Sequence, residues 1–119
     1  MSNVAESLTQ LMELAGARSA ALVDSSTGMV LSHVGNDPHL EITAAANTEV
    51  VRAQLKSIST LGAKDAIDDI LITLTTQYDI VRPLVANPSV FIYLAVDKAK
   101  ANLALARIKV AECEKQIEL

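Results

Sequence analysis

Apolar residues recur at helical spacing in three parts of the chain. Ser2 or Asn3 is placed to cap the first predicted helix and Gly16 to end it. A second, longer helix is predicted over residues 39–61, and a third follows Asp97, which can serve as its N-cap. The predicted inner positions are Val4, Leu8, Leu11 and Ala15 in the first helix, Ala44, Val51, Leu55 and Ile58 in the second, and Ala99, Leu103, Ala106, Val110, Cys113 and Ile117 in the third.

The other apolar segments have the pattern of strands. Residues 90–96 are seven consecutive apolar residues, which indicates a strand buried on both faces. Residues 70–76 have a period of two, typical of a sheet with one face more buried than the other. Turns are predicted at residues 24–28, 77–79 and 87–89, between strands at 20–23, 29–34, 70–76, 80–85 and 90–96.

The predicted order of elements is αββαβββα. Short connections between successive strands favour hairpins, so we expect an α+β fold with an antiparallel sheet. Pro83 lies within a predicted strand and has no amide proton, so it requires a gap in the hydrogen-bond ladder. The length of 119 residues is that of one domain, covering residues 1–119.

Composition limits the classes of partner. Half of the residues are hydrophobic but only 3% are aromatic, so the core must consist of Ala, Val, Leu and Ile. A net charge of −4 provides no basic excess for nucleic acid, and no apolar run is long enough for membrane insertion. Cys113 is the sole cysteine and cannot form an intramolecular disulfide. With no targeting segment evident, we expect a cytoplasmic protein.

Several segments in this order resemble the roadblock domain. They are the strand Leu22-Val23-Asp24 with its hairpin at Gly28, the strand Val81-Arg82-Pro83-Leu84, and Asp97 followed by Asn102-Leu103-Ala104-Leu105-Ala106-Arg107. The resemblance covers nearly the whole chain. It implies a five-stranded antiparallel sheet with one helix on one face and two on the other. It also implies a homodimer or heterodimer with a regulatory or scaffolding role, often with Ras-like small GTPases in bacteria and with dynein or lysosomal GTPase complexes in eukaryotes.

Residues suited to catalysis are few and scattered. His33 and His39 are the only histidines, and no cysteine, histidine or carboxylate cluster has the spacing of a metal site. Cys113 falls on the inner stripe of the last helix, where a buried, inert thiol is expected. Asp68 and Asp69 are expected to be a solvated pair. Since no glycine-rich phosphate loop is present either, we expect no enzyme and no bound cofactor or metal.

Charged residues on the second predicted helix have two interpretations. Glu49, Arg52 and Lys56 recur at spacings of three and four, which is typical of a solvated, ion-paired helix face. The resemblance to roadblock dimers implies instead that these residues border a surface for a GTPase. Arg107 and Lys109 on the last helix are expected to be exposed and solubilising.

The strand at residues 70–76 is a candidate dimer contact. In the sheet order implied by the resemblance it lies at an edge, and an apolar edge strand tends to pair with another chain. Two such edges meeting antiparallel would form one continuous sheet, with the second helices packed over the seam. The predicted interface residues are Val51, Leu55, Ile70, Ile72 and Leu74.

The sequence is compatible with three functions. A dimeric, non-enzymatic regulator of a small GTPase is the first, and a scaffold or light-chain-type subunit without effect on nucleotide turnover is the second. An enzyme acting on a small molecule is the third, and it would need a polar constellation that the sequence does not contain.

Overall fold

A computed structural model describes residues 3–119, which form three helices and five strands. None of these helices is long and apolar enough to cross a membrane. The helices are α1 (Val4–Leu11), α2 (Leu40–Thr60) and α3 (Leu103–Gln116). The strands are β1 (Ala17–Asp24), β2 (Met29–Gly35), β3 (Ile70–Thr73), β4 (Gln77–Pro83) and β5 (Val90–Asp97). The predicted order αββαβββα is confirmed.

The strands form one antiparallel sheet in the order β2-β1-β5-β4-β3. The apolar run 90–96 occupies the centre of this sheet, between β1 and β4, and every residue of it is buried. The candidate dimer strand β3 lies at one edge and β2 lies at the other. The predicted edge position of β3 is thus confirmed.

Helices cover the two faces of the sheet unequally. Alternate residues of β5 point to opposite faces, so Ile92 and Leu94 share an apolar cluster with residues of α1 and α3, whereas Phe91 and Tyr93 lie on the side of α2. We call these the two-helix face and the one-helix face. This arrangement, with two helices on one face and one on the other, is the predicted one.

Gly35 ends β2 in a conformation that a side chain would not fit. Its φ of +88° is in the left-handed region, and a Cβ atom there would lie 2.8 Å from the Cα atom of Ser19. The β-hairpin turn between β1 and β2 was predicted correctly. There the carbonyl of Asp24 accepts a hydrogen bond from the Gly28 amide at 2.7 Å.

The third helix begins later than predicted. Asp97 is not its N-cap; its carboxylate accepts a hydrogen bond from the Ala99 amide at 2.9 Å and so shapes a turn. Asn102 is the N-cap, because its Oδ1 atom accepts from the Leu105 amide at 3.0 Å. The intervening turn is needed because β5 ends in the plane of the sheet and α3 must lie above it. Ala99 is therefore exposed and does not belong to the inner stripe.

The first helix is shorter than predicted. It ends at Leu11 because the following amides bond to carbonyls three residues earlier, which tightens the chain before Gly16. Ala15 is consequently exposed. Of the two predicted caps, Ser2 lies outside the described residues and the Asn3 side chain does not cap α1. It accepts instead from the Glu118 amide and donates to the Gln116 carbonyl, which joins the two ends of the chain.

The predicted turn at residues 77–79 is wrong. These residues begin β4, and the turn consists of residues 74–76, closed by a 2.8 Å hydrogen bond from the Leu74 amide to the Gln77 carbonyl. The predicted gap at Pro83 is confirmed. Since β3 pairs with β4 only as far as Val81, the side of Pro83 that lacks a donor faces no strand.

Candidate interaction surface

The second helix is packed along only part of its length. Five residues between its first turn and its middle are buried, but none from Arg52 to Thr60 is, and Leu55 and Ile58 are half-buried. The N-terminal half of α2 therefore holds the helix on the sheet, while its C-terminal half leaves apolar surface partly exposed. The buried residues are Leu40, Ala44, Asn47, Thr48 and Val51.

The partly exposed half of α2 lies on the same face as apolar residues of β3. Ile70 and Leu55 both pack against the apolar cluster of the one-helix face, and Ile72 shares the orientation of Ile70. Leu74, in the turn after β3, is 45% exposed. We call Leu55, Ile70, Ile72 and Leu74 the β3 flank. They are four of the five residues predicted for a dimer contact, and the structure gathers them on one side of the molecule.

Val51 does not fit the predicted interface. Its side chain has 0% exposure and lies within the apolar cluster under α2, so no second chain can contact it in this conformation. Its role is to hold α2 on the sheet. The prediction that Val51 belongs to the inner face of the helix is confirmed, while Leu55 and Ile58 belong to it only in part.

The backbone of β3 presents an unpaired edge at alternate residues. The Leu74 amide points towards β4, where it donates to Gln77, and the same alternation directs the polar backbone groups of Ile72 towards β4. Those of Leu71 and Thr73 therefore point away from the sheet. Two donors and two acceptors lie there in register for another strand.

The charged residues predicted as a partner surface lie together on α2. Arg52 and Glu49 approach to 3.9 Å, and their side chains are 60% and 78% exposed. Lys56 is exposed on the next turn and borders the same shallow surface as Leu55. A pair so exposed contributes little to the free energy of folding, so these charges are available for contact.

A buried carboxylate lies near the β3 flank. Asp79 is 6% exposed, and its Oδ1 atom accepts from Gln77 Nε2 at 2.6 Å and from the Tyr93 hydroxyl at 3.4 Å. Gln77 in turn accepts from Arg18 at 2.7 Å. Burial raises the pKa of Asp79, and burial beside that carboxylate also raises the pKa of the Tyr93 hydroxyl. This network was not predicted, because the residue types at 77–79 favoured a turn and not a strand.

Solved structures with similar architecture decide the fold. The roadblock/LC7 domain from Streptomyces avermitilis superposes with a TM-score of 0.78 at 17% sequence identity, covering 92% of this chain and 90% of that chain. MglB from Myxococcus xanthus superposes with a TM-score of 0.80 at 16% identity, covering 94% and 89%. The chain has the roadblock fold. The gliding protein MglB from Thermus thermophilus gives a TM-score of 0.68 at 20% identity, covering 93% and 87%.

Another MglB structure, described as a tetrameric arrangement, matches with the same TM-score of 0.68. No family model and no curated protein sequence matches the chain. At identities of 16–20% the likeness is one of fold.

The third helix of this roadblock fold is joined to the sheet by two ion pairs. Arg107 donates to both carboxylate oxygens of Asp69, at 2.8 and 2.9 Å, and Arg82 approaches Glu114 at 3.2 Å. The expectation that Asp69 is a solvated acid is wrong, because its side chain is only 11% exposed beneath the guanidinium. Arg107 is half-exposed but binds Asp69, so it is not merely solubilising. Lys109 is exposed and pairs with Glu112 on its own helix.

Reactive groups in the described part of the chain do not converge. Within residues 3–119, no three histidine, cysteine or carboxylate side chains are placed to hold a metal ion. Cys113 is buried as predicted, and burial raises the pKa of its thiol to about 11. Since the thiolate is the reactive form, this cysteine is inert near neutral pH.

Proposed function

We propose that this protein is a non-enzymatic, dimeric interaction module that binds and modulates a Ras-like small GTPase in the cytoplasm. The observation that carries the proposal is the uneven packing of α2, which leaves the β3 flank partly exposed beside an unpaired sheet edge. The roadblock fold and the sequence resemblance to the roadblock domain, whose bacterial members often act with small GTPases, supply the class of partner.

A second copy of the chain fits the exposed edge. Two β3 strands meeting antiparallel about a two-fold axis would satisfy the outward backbone groups of Leu71 and Thr73. The two α2 helices would then approach each other over the seam, where Leu55, Ile70 and Ile72 would become buried. The same pairing would join two five-stranded sheets into one.

The GTPase would bind across the paired α2 helices, at Glu49, Arg52 and Lys56. These side chains point away from the core and are not required for packing. A dimer that prefers one arrangement of the GTPase switch segments would stabilise that arrangement through its differential affinity. A preference of about 1.4 kcal/mol would change the ratio of the two arrangements tenfold.

A binding titration with charge-reversed variants tests this proposal. The partner is the Ras-like GTPase encoded nearest to the gene, loaded with GDP or with a non-hydrolysable GTP analogue. Arg52→Glu combined with Lys56→Glu should weaken binding about tenfold or more, because two favourable contacts become repulsive. A matched control, Lys100→Glu with Lys115→Glu, makes the same charge change at exposed positions outside α2 and should bind like the wild type.

The outcomes of these measurements distinguish a GTPase regulator from a scaffold and from an enzyme. Equal loss of affinity in both double variants would contradict a specific site on α2. Tight binding with no nucleotide preference and an unchanged GTP hydrolysis rate would favour the scaffold function. GTP hydrolysis by the purified protein alone would contradict a non-enzymatic role.

A further inference from the structure

The start of β3 has little support from its own neighbourhood in the chain. The strand is four residues long and, among the described strands, pairs only with β4. Residues 61–66, which precede it, are all exposed, and no atom from elsewhere in the described residues 3–119 lies within 4 Å of where a Cβ of Gly62 would be. Residues 61–66 therefore provide no packing that would fix the position of the strand, and between them and β3 only Ile67 and Asp69 are half-buried.

A bidentate ion pair with α3, on the two-helix face of the sheet, supplies this support. Asp69 directly precedes β3, and Arg107 of α3 donates to its two oxygens through Nε and a terminal nitrogen at 2.8 and 2.9 Å. Two parallel hydrogen bonds between a planar guanidinium and a planar carboxylate fix orientation as well as distance. The residue before β3 is thus held in one place relative to α3.

A second ion pair fixes α3 itself over β4. Arg82 Nε lies 3.2 Å from Glu114 Oε1, and the two side chains are only 16% and 8% exposed. On α3 the acid Glu114 lies seven residues, or about two turns, after the base Arg107. In one pair α3 supplies the base and in the other it supplies the acid. Sliding α3 along the sheet by about two turns would therefore bring like charges together. This alignment fixes α3 relative to the β3–β4 hairpin.

From these contacts we infer that Arg107 is a positioning residue for the edge strand: through Asp69 it holds β3 in the geometry that pairs with a second copy of the chain. The inference rests on the proposed dimer. Without the pair, the exposed segment before β3 would let the strand separate from β4. A smaller fraction of the molecules would then have β3 in place to pair with a second copy, which lowers the apparent affinity of the dimer.

Dimer affinity and hydrogen exchange of β3 together test the inference. Arg107→Gln should raise the dimer dissociation constant about fivefold to tenfold, measured by sedimentation at a temperature where every variant is folded. Amide exchange of Ile70 and Ile72 should accelerate by a similar factor at a dilution where the protein is monomeric. Exchanging the two residues, with Asp69→Arg and Arg107→Asp together, should restore both values.

Two controls separate positioning from general stability. Lys109→Gln removes a neighbouring charge that does not reach β3 and should change neither value. Val110→Ala truncates a buried residue of the same helix, so it should lower the melting temperature but leave the dimer dissociation constant unchanged. An equal loss of affinity in Val110→Ala and Arg107→Gln would overturn the inference.

The results also distinguish this inference from the proposed dimer. A wild-type protein that stays monomeric at the highest concentration would refute the dimer, and with it the role assigned to Arg107. A wild-type dimer whose affinity and β3 exchange are unaffected by Arg107→Gln would leave the proposed function intact and refute the positioning role alone.

Discussion

The two faces of the sheet bury different kinds of residue. The two-helix face has a continuous apolar cluster built from both helices and all but one of the strands. The one-helix face has a smaller cluster, and buried polar residues lie beside it. The polar residues on that side are Ser19, Asn47, Thr48 and Asp79.

Because of this difference, we expect the two-helix face to contribute mainly to folding stability and the one-helix face to contribute to association with another chain. On the two-helix face, both helices contribute fully buried residues to the apolar cluster, and the buried Arg82–Glu114 pair fixes the alignment of α3. On the one-helix face, the C-terminal half of α2 and the strand β3 leave their apolar residues half-buried. A second chain can therefore add burial at the half-buried residues of the one-helix side, and we expect mutations on the two faces to have different consequences.

The largest expected effect is the loss of folding stability when the two-helix face is truncated. Leu94 has 0% exposure, so Leu94→Ala should lower the free energy of unfolding by about 2–5 kcal/mol through lost burial and a residual cavity. Leu55→Ala is the matched change on the one-helix face. It should cost about 1–2 kcal/mol in the monomer, because the side chain is only half-buried.

Urea denaturation of both variants at high dilution measures this difference. Equal losses would show that the two faces are packed alike, contrary to the half-buried state of Leu55. An unchanged melting temperature for Leu55→Ala would mean that this residue does not support α2 at all.

The next effect concerns association through the edge of β3. Leu71→Pro removes an amide proton that points away from the sheet, so it should prevent strand pairing between two copies while leaving the bonds to β4 intact. The dimer dissociation constant should rise about tenfold or more, which corresponds to about 1.4 kcal/mol. Leu71→Ala keeps the amide and is the control. Sedimentation equilibrium that found the two variants equally dimeric would exclude this edge as the contact.

The elements of the fold could be predicted because their signals are local. The seven apolar residues 90–96 and the period of two predicted over residues 70–76 reflect burial, which the sequence carries directly, although β3 ends at Thr73. The predicted start of the third helix was less accurate, because two residues near it could each serve as the N-cap. Asp97 and Asn102 are both good N-caps, but Asp97 shapes a turn with the Ala99 amide and Asn102 caps the helix through the Leu105 amide.

The contacts that shape the candidate surface depend on tertiary structure. Asp69 and Arg107 are 38 residues apart, and nothing in the local pattern of either indicates that they meet. Gln77 and Asp79 have the composition of a turn, yet they lie in a strand because each finds a hydrogen-bond partner there. In both cases, hydrogen bonds to distant residues determined the structure, and the local sequence preference did not.

The smallest expected effect is a change in pH dependence on the one-helix face. Burial raises the pKa of Asp79 in the folded protein above its value of about 4 in the unfolded chain. The folded state therefore binds this proton more tightly, and its stabilising contribution is complete below the unfolded pKa. That contribution is lost as pH rises through the folded pKa, so wild-type stability should decline over the range just above pH 4.

Replacing Asp79 with asparagine should remove that decline. The amide oxygen of Asp79→Asn can still accept from Gln77 and Tyr93, and the side chain carries no charge at any pH. The variant should thus be more stable than the wild type near neutral pH and similar to it at the acid end of the range. Asp65→Asn, at an exposed position, is the control and should keep the wild-type profile. If urea titrations at several pH values gave the wild-type decline for Asp79→Asn as well, the buried carboxylate would not be its source.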